Sequence, residues 1–195
     1  MPPARRHRAK NSPTKGFSAA LAERARKVRI LLLDVDGVLT DGHIHLQSLP
    51  DGTAVEAKVF HSQDGAGLKM ARDAGLRTGV ITGRRSPAVD RRAQETGMEF
   101  VYQGYARKIE AYETILRMAG VRDAEVAFVG DDLPDLPILE RVGLAIAVPN
   151  AAPEVRRAAH WITQREGGRA AVREVIENIL KAQGKWSSAA KNARA

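Results

Sequence analysis

The stretch LLLDVDGVLTDG, residues 31–42, gives the clearest indication of the fold. An apolar run ends in two aspartates, Asp34 and Asp36, and the chain then reaches Gly37. A continuous run of branched apolar residues is typical of a strand that is buried on both faces of a parallel sheet. Because burying charge is costly unless something pairs with it, carboxylates at the end of such a strand indicate a bound cation or a phosphoryl group.

The rest of the chain alternates apolar strands with amphipathic helices. The predicted strands that follow the first are LRTGVIT (76–82), MEFVYQG (98–104), AEVAFVGDD (124–132), LAIAVPN (144–150) and HWIT (160–163). The predicted helices lie at 16–27, 64–75, 86–96, 106–120, 133–143 and 167–184. This alternation predicts an α/β fold, a doubly wound parallel sheet with helices on both faces.

One segment breaks the alternation. Residues 43–60, HIHLQSLPDGTAVEAKVF, contain two alternating runs around Pro50-Asp51-Gly52. Alternating runs on either side of turn residues predict a small β-hairpin insertion.

The length and the charge distribution predict one domain with two tails. We expect a single domain over residues 17–182, a disordered basic tail over 1–16 and a flexible C-terminal tail over 183–195. The net charge is +8, and residues 1–29 hold nine basic residues against one acidic residue. Residues 1–16 contain no Phe, Trp or Tyr. Without aromatic residues between the charges, we expect a solvated tail rather than a nucleic-acid partner.

Composition also predicts the compartment. The chain has no cysteine, which excludes disulfides, a thiol nucleophile and cysteine metal ligands. It has no apolar stretch long enough to span a bilayer, and no apolar segment follows the basic N-terminal residues as in a signal peptide. We therefore expect a cytoplasmic protein with no membrane insertion.

Polar side chains follow four of the predicted strands. They are Asp34 and Asp36; Thr82, Gly83 and Arg84; Lys108; and Asp131, Asp132 and Asp135. The carboxyl ends of parallel strands meet at one edge of a sheet, where ligands bind. Three of these carboxylates, on Asp34, Asp131 and Asp135, form an oxygen ligand set that suits Mg²⁺.

The same side chains suit phosphoryl transfer. Lys108 and the Thr82 hydroxyl can hold phosphate oxygens. A carboxylate can attack phosphorus, which predicts Asp34 as the nucleophile. Asp36, two residues on, can protonate the leaving oxygen and then accept a proton from water.

The order of these motifs is similar to that of a known superfamily. D-x-D-G-x-L-T-D, then T-G-R, K and G-D-D-x-x-D, resembles the haloacid dehalogenase superfamily over residues 30–180. The segments 41–80 and 85–107 leave no room for a cap domain. With DG-x-G-L, VYQG…K and GGR-x-AVREV, the chain resembles the capless 3-deoxy-D-manno-octulosonate 8-phosphate (KDO 8-phosphate) phosphatase family.

This resemblance implies a function and a set of residue roles. The family hydrolyses a sugar-acid phosphate of lipopolysaccharide synthesis with Mg²⁺, through an aspartyl phosphate, as a homotetramer built through hairpins like 43–60. The implied roles are catalytic for Asp34 and Asp36, metal-binding for Asp34, Asp36 (backbone carbonyl) and Asp131, phosphate-binding for Thr82, Gly83 and Lys108, substrate-binding for Arg84 and Gln63, and supporting for Asp132 and Asp135.

Two positions depart from the family pattern. Gln63 stands where the family usually has Arg, and it cannot form the charged fork that Arg offers a carboxylate. Ala170 follows Gly-Gly-Arg where the family often has Gly. The first departure leaves the substrate open between KDO 8-phosphate, a nonulosonate 9-phosphate and another small sugar phosphate.

The sequence leaves two non-enzyme alternatives open. A signalling receiver domain also has an acidic pocket, but its phospho-acceptor stands at the end of the third strand, where this chain has no Asp. A catalytically idle oligomeric scaffold would keep the fold without turnover, and the intact motif set argues against it.

Overall fold

The structure, a computed structural model, describes residues 17–193. The predicted basic tail over 1–16 lies outside the described residues. The strands in chain order are β1 (Ile30–Leu33), β2 (His45–Ser48), β3 (Ala54–Ala57), β4 (Arg77–Thr82), β5 (Phe100–Gln103), β6 (Val126–Gly130), β7 (Leu144–Ala147) and β8 (Trp161–Ile162).

The helices include all six predicted segments. They are α1 (Ala19–Lys27), α2 (Ser62–Asp73), α3 (Pro87–Thr96), α4 (Lys108–Ala119), α5 (Leu136–Leu139), α6 (Pro153–Ala158), α7 (Ala171–Ala182) and α8 (Trp186–Asn192). The helix predicted over 133–143 is reduced to a 3₁₀ turn and the one-turn α5, because Pro137 lacks the N–H that a continuous helix would pair with the carbonyl of residue 133. The sequence pattern does not predict α6, whose 6 residues are too short for a periodic signal.

Six strands form one parallel sheet in the order β5-β4-β1-β6-β7-β8. The chain leaves β1 toward β4 and β5, and later crosses to β6 on the other side of β1. The order therefore reverses between β1 and β6, and ligands bind at such a switch point outside the carboxyl ends of the strands. Asp34 follows β1 and Asp131 follows β6, so the topology brings these two carboxylates together.

The helices cover the sheet in two groups. α2 packs on α7, which also contacts α1, while α5 packs on α4 and α6. Apolar residues at helical spacing bury one face of α7: Val172, Val175, Ile176 and Ile179 are all fully buried. The predicted doubly wound α/β architecture is confirmed.

The predicted hairpin is present and remains separate from the main sheet. β2 and β3 pair antiparallel, from His45 with Ala57 to Ser48 with Ala54. In the described chain it is the one sheet inserted between β1 and α2, and no cap domain occurs there.

The C-terminal segment differs from the flexible tail predicted over 183–195. Residues 186–192 form α8, which packs on α2 and α7 and buries Ala189. The Arg173 guanidinium lies over the Trp186 ring, 5.2 Å from its centroid. One large aromatic side chain thus gives this helix enough apolar and cation–π contact to dock.

Within residues 17–193, the helices are all too short or too polar to cross a bilayer.

Candidate active site

Three carboxylates converge where β1 and β6 end. The Asp34 N–H donates to the Val129 carbonyl at 2.9 Å, which continues the strand pairing by one residue. Asp34, Asp131 and Asp135 each place a carboxylate oxygen within 4.8 Å of the others. The sequence-predicted ligand set is therefore one cluster in space.

Lys108, at the start of α4, contacts two of these carboxylates. Its Nζ lies 2.8 Å from Asp34 Oδ1 and 2.7 Å from Asp135 Oδ1. Burial alone would lower the pKa of Lys108, but the two carboxylates raise it above its usual value. The ammonium is therefore charged and fixed in place beside the predicted nucleophile.

Asp135 holds the loop after β6 in position. It is fully buried, and its Oδ2 accepts hydrogen bonds from the N–H groups of Asp131 at 2.9 Å and Asp132 at 3.3 Å. With Lys108 on its other oxygen, Asp135 supports the site without facing the cavity. Asp132 is exposed at the cavity rim.

Gly37 shows why the first motif contains a glycine. Its φ is +89°, a left-handed conformation that side chains disfavour. A Cβ at this position would also lie 2.0 Å from Asp131 Oδ2. The glycine after Asp36 thus lets the β1 loop approach the carboxylate from β6.

The cluster carries more negative charge than Lys108 can balance. Burial, and then the charge of Asp135, raise the pKa of Asp34 to about 6. Burial, and then the charges of Asp34 and Asp135, raise the pKa of Asp131 to about 8. Asp131 Oδ1 is also buried, and among the residues that the structure describes it has no hydrogen-bond partner. A hard divalent cation with oxygen ligands would satisfy both the excess charge and the unpartnered oxygen.

A cavity of about 520 Å³ opens onto this cluster. The predicted site residues that line it are Asp34, Asp36, Thr82, Gly83, Arg84, Lys108, Asp131 and Asp132. Thr82 is buried at the end of β4, and its hydroxyl accepts the Arg84 N–H at 3.4 Å. The structure thus brings the carboxylates, the ammonium and the Thr-Gly turn to one opening.

Gln63 is the one predicted site residue that neither lines this cavity nor belongs to the buried carboxylate cluster behind it. It lies in the first turn of α2, and its Oε1 accepts a hydrogen bond from Arg165 Nη1 at 2.9 Å. The fold of a single chain therefore gives Gln63 no contact with a molecule in the cavity.

Two residues that the sequence interpretation missed reach the site from the hairpin. Lys58 Nζ lies 2.5 Å from Asp36 Oδ1, and Glu56 pairs with Arg84. Residues two apart on a strand share a face, so Glu56 and Lys58 point the same way. A Glu-x-Lys pair at the end of an otherwise exposed strand is the signal that could have identified them.

Comparison with known proteins agrees with this geometry. Residues 91–176 match the family described as haloacid dehalogenase-like hydrolase. The 3-deoxy-D-manno-octulosonate 8-phosphate phosphatase KdsC of Escherichia coli K12 is 40% identical over 172 residues, which cover 88% of this chain and 89% of that protein.

Solved structures show the same fold. A probable YrbI family phosphatase from Pseudomonas syringae is 42% identical with a TM-score of 0.84, and the match covers 91% of this chain and 99% of that chain. A 3-deoxy-D-manno-octulosonate 8-phosphate phosphatase from Moraxella catarrhalis, in complex with magnesium, phosphate and KDO, is 38% identical with a TM-score of 0.84. That match covers 90% of this chain and 99% of that one. This chain belongs to the haloacid dehalogenase-like hydrolases, in the branch that contains the 3-deoxy-D-manno-octulosonate 8-phosphate phosphatases.

Proposed function

We propose that this chain is a Mg²⁺-dependent phosphatase that hydrolyses KDO 8-phosphate to KDO and inorganic phosphate. One observation carries the proposal: Asp34 lies in the cavity with its carboxylate held at 2.8 Å by a buried lysine, beside two further carboxylates. The substrate follows from relatives that match almost the whole chain, one of them solved with magnesium, phosphate and KDO.

Asp34 is the proposed nucleophile. Its oxygen attacks phosphorus and forms an aspartyl phosphate as the bond to the sugar oxygen breaks. Lys108, the Thr82 hydroxyl and the backbone at Gly83 hold the phosphate oxygens, and the positive charge of Lys108 is maintained by its two carboxylate contacts. Asp135 acts indirectly, since it contacts Lys108 and the loop that carries Asp131.

Asp36 is the proposed acid and base. Its carboxylic acid donates a proton to the departing sugar oxygen, and its carboxylate then accepts a proton from the water that attacks the aspartyl phosphate. The products are the sugar acid, phosphate and the regenerated Asp34 carboxylate. Arg84, which lines the cavity next to Asp36, is the proposed contact for the sugar part of the substrate.

The carboxylates fit a magnesium ion. Asp34 and Asp131 would hold it through side-chain oxygens and Asp36 through its backbone carbonyl, with Asp132 in support. When bound, Mg²⁺ supplies charge neutralisation for the phosphate oxygens.

We further propose that the chain assembles into a homotetramer through the hairpin, residues 43–60. The hairpin exposes a group of apolar side chains: Ile44, Leu46, Leu49, Val55 and Val59 are 36–66% exposed. Such a patch is a candidate protein contact. Sedimentation of the native chain and of a Leu46→Glu, Val59→Glu variant tests this, and a native monomer at micromolar concentration would exclude it.

The expected cytoplasmic location stays a prediction that cell fractionation can test.

The central experiment measures phosphate release from KDO 8-phosphate, a nonulosonate 9-phosphate and simple sugar phosphates, with Mg²⁺ or with a chelator. We expect metal-dependent release with a strong preference for KDO 8-phosphate. Weak release from every substrate would support phosphatase activity but exclude KDO 8-phosphate as the preferred substrate. No release from any substrate would favour the scaffold alternative. A Gln63→Arg variant, run in parallel, tests whether the departure at this position alters the preference.

A further inference from the structure

A buried lysine from the hairpin contacts the proposed acid–base residue. The Lys58 side chain is only 2% exposed, although β2 is exposed throughout and three of the four residues of β3 are exposed. Its Nζ lies 2.5 Å from Asp36 Oδ1 and 3.2 Å from Glu56 Oε1. Glu56 in turn accepts a hydrogen bond from Arg84, whose Nε is 3.8 Å from Asp36 Oδ2. Four groups of alternating charge thus connect the hairpin to the cavity.

Burying the Lys58 ammonium against Asp36 has a cost in free energy. Fixing a lysine side chain costs up to about 2 kcal/mol of rotamer entropy, and removing its ammonium from water costs more. The hairpin gains little apolar burial in return, because five of its apolar side chains remain exposed: Ile44, Leu46, Leu49, Val55 and Val59. What the contact does achieve is to fix one carboxylate oxygen of Asp36.

The geometry also separates the two oxygens of Asp36. Lys58 contacts Oδ1. Within residues 17–193, the nearest cation to Oδ2 is the Arg84 guanidinium, at a distance too long for a hydrogen bond. Oδ2 is therefore the oxygen that remains available to carry a proton to a molecule in the cavity.

We infer that Lys58 is a positioning residue that orients the Asp36 carboxyl for protonation of the leaving oxygen. The inference rests on the proposed phosphatase function. In the step concerned, a bond forms between an Asp34 oxygen and phosphorus as the phosphorus–oxygen bond to the leaving group breaks. The O–H of Asp36 transfers its proton to the departing oxygen, and Asp36 becomes a carboxylate. Lys58 exchanges no proton with substrate; it fixes the direction in which Asp36 points.

The leaving group provides the test. A sugar alkoxide must be protonated as it departs, whereas p-nitrophenolate leaves without a proton. Asp36 is also the base of the later water step, which both substrates share. We therefore compare the single-turnover rate of leaving-group release by Lys58→Met and by the native enzyme, from KDO 8-phosphate and from p-nitrophenyl phosphate, both with Mg²⁺. General acid catalysis contributes about 10²–10⁴-fold, so we expect this rate to fall roughly 10- to 100-fold on the sugar phosphate and by less than about 3-fold on the aryl phosphate.

Three further variants make the result specific. Lys58→Arg keeps the charge and should recover part of the lost activity on KDO 8-phosphate. Lys69→Met replaces an exposed lysine of α2 and should leave the rates on both substrates unchanged. Adding Lys58→Met to an Asp36→Asn enzyme should cause no further loss on either substrate, because there is no longer a carboxyl to orient.

The opposing outcomes are distinct. An equal loss on both substrates, or a further loss in the Asp36→Asn background, would assign Lys58 a purely structural role and overturn the inference. No change on either substrate would overturn it as well. Failure of the proposed function would give a different result: the native enzyme would not hydrolyse either substrate, or its hydrolysis would persist in the Asp34→Asn variant.

Discussion

The two ends of the central sheet both carry charged side chains and a cavity, yet only one has the chemistry of an active site. At the amino ends of β1 and β4, a cavity of about 740 Å³ is lined by Arg26, Arg29, Arg77 and Lys185. At the carboxyl ends, the cavity that contains Asp34 is smaller, at about 520 Å³. Neither size nor charge alone separates the two ends.

The difference lies in how the charges are paired. At the amino end, the Arg77 guanidinium forms a fork with the Glu99 carboxylate at 2.6 and 2.7 Å, near the surface, and its hydrogen bonds lower the pKa of Glu99. At the carboxyl end, burial and then the charges of neighbouring carboxylates raise the pKa of Asp34 and Asp131. Lys108 contacts Asp34 and Asp135 but does not balance the whole cluster. Buried carboxylates whose negative charge is not fully balanced by nearby cations indicate a bound ligand. A solvent-exposed ion pair such as that of Arg77 and Glu99 does not.

The largest expected effect is that of Asp34→Asn. Removing the nucleophile should lower phosphate release at least about 10³-fold. Because one repelling charge is removed from the cluster, the melting temperature without metal should rise. Phosphate release and thermal denaturation measure the two effects. The matched change at the other end, Glu99→Gln, should leave activity intact and cost less than about 1 kcal/mol. Native activity in Asp34→Asn would refute the nucleophile assignment.

The second test removes one cation from each end. Lys108→Met leaves Asp34 and Asp135 without their ammonium, and breaking a buried ion pair costs about 3 kcal/mol or more. Arg77→Met breaks a half-exposed pair and should cost under about 1 kcal/mol. Urea denaturation of both variants at neutral pH measures the contrast. A Lys108→Met, Asp135→Asn double variant should recover part of the stability, and equal costs at the two ends would contradict the comparison.

Much of this contrast could be predicted from the sequence. Buried parallel strands read as continuous apolar runs, and the residues just after them meet at one edge for topological reasons. Asp34, Thr82, Lys108 and Asp131 could therefore be assigned to one site without coordinates. The burial of Val172 and Ile176 followed from helical spacing in the same way.

The remaining features depend on tertiary contacts that have no local signal. Lys58 is 22 residues from Asp36, and only the path of the hairpin brings them together. Gln63 immediately precedes the Asp-Gly of a family motif, yet the start of α2 directs it toward Arg165 rather than into the cavity. The helix at 186–192, inside the tail predicted over 183–195, depends on the contact of Trp186 with Arg173, which no local sequence pattern indicates.

A third test combines pH with metal. The pKa values of Asp34 and Asp131 are raised from 3.8 to about 6 and about 8. At pH values between 3.8 and these raised pKa values, the folded chain holds protons that the unfolded chain has released. Without metal, its stability should therefore fall as pH rises from about 5 to about 8. Mg²⁺ takes the place of those protons and should stabilise most at the upper end.

Melting temperatures in chelator and in Mg²⁺ across this range give the measurement. An Asp131→Asn variant is the control, and its melting temperature in chelator should depend less on pH. A native protein that becomes more stable between these pH values in chelator, with the slope unchanged in the variant, would contradict the account of the carboxyl end.

The smallest expected effect concerns backbone strain beside the site. Among residues 17–193, Ala170 is the one non-glycine residue with a positive φ, at 70°. It follows the loop in which the Gly168 N–H donates to the Val38 carbonyl at 3.0 Å, next to the β1 aspartates. At the amino end, by contrast, the left-handed positions include Gly75 and Gly184, which adopt this conformation at no steric cost.

Ala170→Gly should therefore stabilise the chain. A left-handed alanine costs about 1–2 kcal/mol, which glycine avoids. Glycine also destabilises by about 0.4–1 kcal/mol, because it raises the entropy of the unfolded chain. We therefore expect the free energy of unfolding, measured in urea, to rise by up to about 1 kcal/mol. Gly168→Ala is the matched opposite: its φ is +68° and the new Cβ would lie 2.4 Å from the Asp41 nitrogen, so it should destabilise by more. Because Ala170 supports the loop but does not contact the cavity, kcat should stay the same. A loss of stability in Ala170→Gly would mean that the buried methyl group contributes more than the strain costs, and the two ends would then differ in charge alone.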